Sequence, residues 1–165
     1  MGQGKVPLKG KTSSAMARSS LVAFLLLVGL LVLLFRGQTV ADTVQRWGLP
    51  GTWAADCDRP ASDSAPRIRY AMDQSGSAVV EHLHADTTRN SRASITGATI
   101  AADGTITLTI AMATPQSVRT INLHKAGNRI RSFSDRVAGA ANYDIRDGRF
   151  TSGGSETPWW TRCDG

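Results

Sequence analysis

The sequence predicts an all-β domain, a single antiparallel meander of about seven or eight strands closed as a barrel, with a two-sheet sandwich as the alternative. Three observations predict it. Stretches in which apolar and polar residues alternate recur through residues 51–165 at intervals of roughly 10 to 15 residues, the period-two pattern of half-buried strands. Gly, Asn, Asp and Pro turn signals separate them, and helix signals are nearly absent. The two cysteines, Cys57 and Cys163, stand at the two ends of that region, so a bond between them joins the first strand to the last across the closure.

The chain before the domain divides into two parts. Residues 21–35, LVAFLLLVGLLVLLF, are an unbroken apolar run preceded by Lys5, Lys9, Lys11 and Arg18 and by no acid. Thr39-Val40-Ala41 offers a cleavage site before Asp42, which completes the layout of a secretory signal over residues 1–41. The alternative is an uncleaved N-terminal membrane anchor over residues 15–35, since the apolar run alone reaches only about 22 Å against a hydrocarbon core of roughly 30 Å. In either case the basic excess before the run holds the N-terminus in the cytoplasm and sends residues 42–165 across. The expected location is periplasmic or secreted, or anchored in the inner membrane with the domain in the periplasm. An oxidising compartment and the lack of CxxC spacing make Cys57 and Cys163 a structural disulfide.

Residues 42–50 read as a tether, with Trp47 available as a lid and Gly48-Leu49-Pro50-Gly51 breaking any helix before the first strand. The clearest strand is Thr105 to Met112, in which Ile106, Leu108, Ile110 and Met112 alternate with threonines and an alanine; Asp103-Gly104 pairs it as a hairpin with Ala93 to Ala101. Further strands are predicted at Arg67 to Asp73, Ser77 to Ala85, Val118 to Lys125, Arg129 to Val137 and Asn142 to Asp147. Ser75-Gly76, Gly127-Asn128 and Asp147-Gly148 turn the chain between them, and Thr114-Pro115 marks a break.

The formal charge of +6 suggests nucleic acid until its location is considered, because Lys5, Lys9, Lys11, Arg18 and Arg36 all precede the domain. From Asp42 onward 14 basic residues meet 13 acidic ones, which argues against a nucleic-acid partner. Thirteen of those 14 are arginines, several alternating along strands as Arg67/Arg69 and Arg129/Arg131, a residue type suited to bidentate pairing with carboxylate or phosphate.

Gly51-Thr52-Trp53 at the start of the first strand resembles the G-x-W signature of lipocalin and avidin-like barrels. That resemblance implies that Trp53 plugs one barrel end against a basic residue from a late strand, Arg162 or Arg149. Size, export signal and single disulfide are similar to those of bacterial periplasmic protease inhibitors. The end-to-end cysteines and the C-terminal Thr157-Pro158-Trp159-Trp160-Thr161-Arg162-Cys163 depart from both patterns. As a whole the chain resembles small exported proteins of Gram-negative bacteria with a GTW start and a Trp-rich, Cys-containing end, which implies an envelope location and no activity.

Candidate sites are few. His82 and His84 project from one strand face as metal-binding His-x-His pairs do, and with His124 they complete a three-histidine site if their strands are neighbours. Val79, Leu83 and Ala85 mark the expected inner face of that strand, which leaves these histidines outside. No serine lies in a G-x-S-x-G elbow, and paired acids such as Asp56/Asp58 or Asp144/Asp147 are the ordinary content of turns. A disulfide would draw Trp53, Trp159, Trp160 and Arg162 into one neighbourhood. Adjacent strand residues face opposite ways, so one of Trp159 and Trp160 points outward or into a mouth. The expectation is a non-enzymatic exported barrel without cofactor, binding a small apolar ligand or an envelope protein at that end. The alternatives are a metal-dependent enzyme using the three histidines and a periplasmic protease inhibitor.

Overall fold

The computed structural model describes Met1 and residues 38–62, 64–113 and 116–164. The apolar run 21–35 and the Thr114-Pro115 break lie outside the described residues.

From residue 38 onward the regular structure is nearly all strand, joined by turns and loops. One helix, α1 (Val40–Trp47), precedes β1 (Gly51–Ala54), β2 (Arg67–Met72), β3 (Ala78–Leu83), β4 (Ser91–Ile100), β5 (Ile106–Met112), β6 (Ser117–Ala126), β7 (Arg129–Val137), β8 (Ile145–Arg146), β9 (Arg149–Phe150) and β10 (Trp160–Arg162). Strands β1 to β7 pair antiparallel in sequence order, and β10 pairs antiparallel with both β7 and β1, closing an eight-stranded barrel. The β8–β9 hairpin is an appendage, joined to β7 where Ile145 stands opposite Asp135. A slip in register between Ile95 and Gly97 bends β4 against β5, and a second lies between Asn122 and Leu123 on β6.

The interior follows from the alternation. Ile106, Leu108 and Ile110 of β5 are buried, and register sets Leu123 and Ile121 of β6 and Ile100, Ala98 and Ile95 of β4 beside them. Strand β3 differs from the sequence expectation. Its core-facing residues are Ala78, Val80 and His82, opposite Met72, Tyr70 and Ile68 of β2, while Leu83 faces out. Ala78, Val79 and Val80 are all buried, so the run is apolar at both parities and alternation could not choose a face. Inward placement of the Tyr70 ring decides it.

The segment with the tether reading is mostly helix. Val40, Val44 and Trp47 share one face of α1, at helical spacing, and join the core, with Val44 and Leu49 each 0 % exposed. Thr39 caps the helix: Asp42 N–H donates to Thr39 Oγ1 at 3.1 Å, and Thr39 N–H donates to the Asp42 carboxylate at 3.2 Å. Gly48, at φ 78°, ends it and donates to the Gln45 and Val44 carbonyls. Trp47 Nε1 donates to Gly104 O in the β4–β5 turn at 2.7 Å, and Lys125 Nζ from the end of β6 donates to Trp47 O at 2.6 Å. The helix is thereby tied to the turn-bearing end of the barrel, and the Thr39-Val40-Ala41 stretch is its first turn and cap.

Candidate functional site

Four groups of side chains among the described residues bear on function. The first is the seam between β1 and β10. Trp53 is 1 % exposed, donates from Nε1 to Leu49 O at 2.9 Å and stands opposite Arg162 in the register. The Arg162 guanidinium lies 5.7 Å from the Trp53 ring centroid and donates to Pro50 O and, at 3.5 Å, to Gly48 O. Gly51 sits directly beneath it: at φ +142°, a Cβ there would come within 2.9 Å of both Arg162 Nε and an Asp164 carboxylate oxygen. Asp164 accepts from Thr52 N–H at 2.6 Å, and Cys163 N–H donates to Thr52 O at 2.8 Å. The Cys57–Cys163 disulfide, with Cα atoms 5.2 Å apart, completes the seam. Of the two arginines suggested by sequence, Arg162 lies over Trp53, whereas Arg149 is on β9 and pairs with Glu156 at 3.0 Å. Arg162 is therefore engaged within the fold.

The second group is the tryptophan pair. Trp160 stands opposite Ile130 and packs, half-buried, against the core. Trp159 lies on the other side of the chain, half-buried on the outer wall, with the guanidinium carbons of Arg129 and Arg131 at 5.4 and 5.1 Å from its ring centroid. The disulfide thus gathers Trp53, Trp160 and Trp159 at one seam but directs only Trp159 outward.

His82 and His84, at the end of β3, lie near each other, but His124 is not brought to them. His82 is on β3 and His124 on β6, with β4 and β5 between them in the sheet. They also lie on opposite sides of the barrel wall. His82 faces inward with its Nδ1 3.4 Å from Ser91 Oγ, and its pKa is lowered by burial and then by the neighbouring His84. His124 faces outward and stacks on Phe133 with centroids 4.0 Å apart. Among the described residues no cluster of three metal-ligating side chains exists.

The fourth group was not foreseen from sequence. Register places Arg119 beside Ile110 and Asp135 beside Ile121, both on the core side. Arg119 donates to Asp135 at 3.0 Å from Nε, and its other nitrogen pairs with Asp135 at 2.9 Å and with Asp144. Burial pushes the Asp135 carboxyl above its ordinary range against the pull of Arg119. Tyr70, buried and raised first by burial and then by the Asp135 charge, completes this interior polar cluster. Alternation sets Arg119 on the face of Ile121 and Leu123, but only strand register shows that Asp135 stands there to meet it.

No family model, curated protein or solved structure matches this chain. The seam is structural, Tyr70 and the Arg119–Asp135 pair are engaged within the barrel, and His124 stands apart from His82 and His84. Of these four groups, the outer wall around Trp159 presents an aromatic ring and two cations to the outside. Basic and acidic residues elsewhere on the wall pair more completely: Glu81 meets Arg69 at 2.6 Å and Arg92 at 3.8 Å, and Arg92 meets Asp73 at 3.4 Å.

Proposed function

We propose that the protein is a non-enzymatic binding barrel held in an oxidising compartment of the bacterial cell envelope, and that it meets its partner on the outer wall around Trp159. The disulfide supports the compartment, because a structural bond between chain ends persists where thiols are oxidised. The basic, acid-free N-terminal segment with its apolar run supports export or anchoring. The observation that carries the binding reading is the Trp159 ring flanked by Arg129 and Arg131. Trp and Arg are the residue types most often found at the energetic centres of interfaces. A small apolar ligand held beneath α1 is opposed by the filling of that space, since Trp53, Leu49, Ile106, Leu108 and Val44 are each less than 2 % exposed.

Site-specific photo-crosslinking in the native compartment tests this reading. A crosslinker at position 129, beside Trp159, is expected to trap an adduct of higher mass, and one at position 99 on the outer face of β4 is expected to trap none. Adducts from 99 alone, or none from 129, would overturn it.

A further inference from the structure

The Trp159 group is one end of a longer feature. The Arg131 guanidinium that lies beside Trp159 also lies against Gly148 of the β8–β9 turn and approaches Glu156 at 3.8 Å. Glu156 in turn pairs with Arg149 on β9 at 3.0 Å. Arg149 stands opposite Arg146 on β8 in the hairpin register. Arg146 lies 5.6 Å from the Tyr143 ring, and Arg136, from the end of β7, lies 5.0 Å from the same ring. Five arginines and two aromatic rings therefore form two side-chain clusters, around Trp159 and around Tyr143, that strand register joins into one stripe along β7 and its appended hairpin.

Charge is concentrated there. Residues 129–149 hold five basic residues, all of them in the stripe, and three acidic ones. Of the three acids, Asp135 and Asp144 are engaged by Arg119, and Asp147 sits in the hairpin turn. Glu156 is the acid within the stripe, set between two of its arginines. Each ring has two guanidinium groups near it, an arrangement that holds like charges close together, and Glu156 meets only Arg131 and Arg149 of the five.

Resting on the binding reading above, we infer that the partner is a polyanionic glycan, an extended polysaccharide with a carboxylate or sulfate on successive units, laid along this stripe. A row of arginines suits repeated anions, each of which can accept paired N–H donors from a guanidinium. Half-buried Trp159 and Tyr143 lie within the wall beside their arginines, which suits a chain running across them better than a lipid surface, where rings must project into the bilayer interface. The near balance of charge over the whole domain speaks for local recognition rather than general attraction to polyanions.

The test measures binding of the purified, oxidised protein to polygalacturonate and to dextran sulfate, with neutral dextran, duplex DNA and phosphatidylglycerol vesicles in parallel. Saturable binding to at least one acidic glycan is expected, weakening as salt rises. A triple variant Arg129→Gln, Arg146→Gln, Arg149→Gln changes only exposed side chains of the stripe and is expected to lose affinity at least about tenfold, with a shallower salt dependence. The control Arg69→Gln, Arg92→Gln on the opposite wall should bind as the wild type does. Equal losses in both variants, binding to neither glycan, or binding only to DNA or only to vesicles would each refute the glycan. If position 129 still crosslinks in the native compartment while both glycans fail, the wall meets a partner of another class and only this inference falls.

Discussion

Replacing Arg162 by Met removes the guanidinium while keeping most of the side-chain volume that covers Trp53. In the folded protein that group donates to Pro50 O and Gly48 O and lies 5.7 Å from the Trp53 centroid. The Gly48 contact, at 3.5 Å, is at the limit of a hydrogen bond and contributes little. Loss of the charge-assisted bond to Pro50 leaves a part-buried carbonyl without its donor, a cost of about 1.5–3 kcal/mol. The cation–π contact adds about 0.5–1 kcal/mol. Against these, Arg162 Nε is buried without a partner, and removing it returns about 1 kcal/mol. The net expectation is a loss of about 1–3 kcal/mol, equivalent to a fall in Tm of roughly 3–10 °C for a domain of this size. Urea unfolding with the disulfide intact, followed by tryptophan fluorescence, measures it. Arg162→Lys should fall between the two, since it keeps a charge near the ring and loses the planar fork. If Arg162→Met lies within about 0.5 kcal/mol of wild type, the seam does not depend on this side chain and the reasoning fails.

Two further outcomes follow from the same structure. The double variant Cys57→Ala, Cys163→Ala should lose about 2–5 kcal/mol in urea unfolding, because the bond closes a loop spanning a sequence separation of 106 residues; a loss below about 1 kcal/mol would show that the bond constrains the unfolded chain little. Tyr70 carries an alkaline limit. Burial, with the Asp135 charge second, raises its phenol above the ordinary value, so its contribution is fully present below about pH 10 and is lost as pH rises beyond that. Tyr70→Phe should flatten the fall in stability between about pH 10 and 11.5, and an unchanged slope there would show that the phenol titrates freely.

Much of the fold was legible because strand alternation is a local property. β5, β6 and β7 fall within one or two residues of their expected spans, and Asp103-Gly104 and Asp147-Gly148 turn the chain where their backbone tolerance allows. Closure was legible from the positions of Cys57 and Cys163. The helix α1 has its own signals, a Thr39 cap answered by Asp42 and apolar residues at 40, 44 and 47, but the apparent cleavage site after Ala41 divides them between a signal and a tether.

The sequence by itself determined the all-β class, the disulfide and the opposite facing of Trp159 and Trp160, since composition, cysteine position and strand period require no knowledge of neighbours. Tertiary structure alone decided which face of β3 turns inward, that Arg162 rather than Arg149 lies over Trp53, and that His82 and His124 stand on opposite sides of the wall. It also decided that arginines spread over residues 129–149 meet in one stripe. Each of these depends on strand register and on the packing of the β8–β9 hairpin against β7. Register is set by pairing across the sheet, where contacts join residues far apart in the chain, and alternation along a single strand carries no record of it.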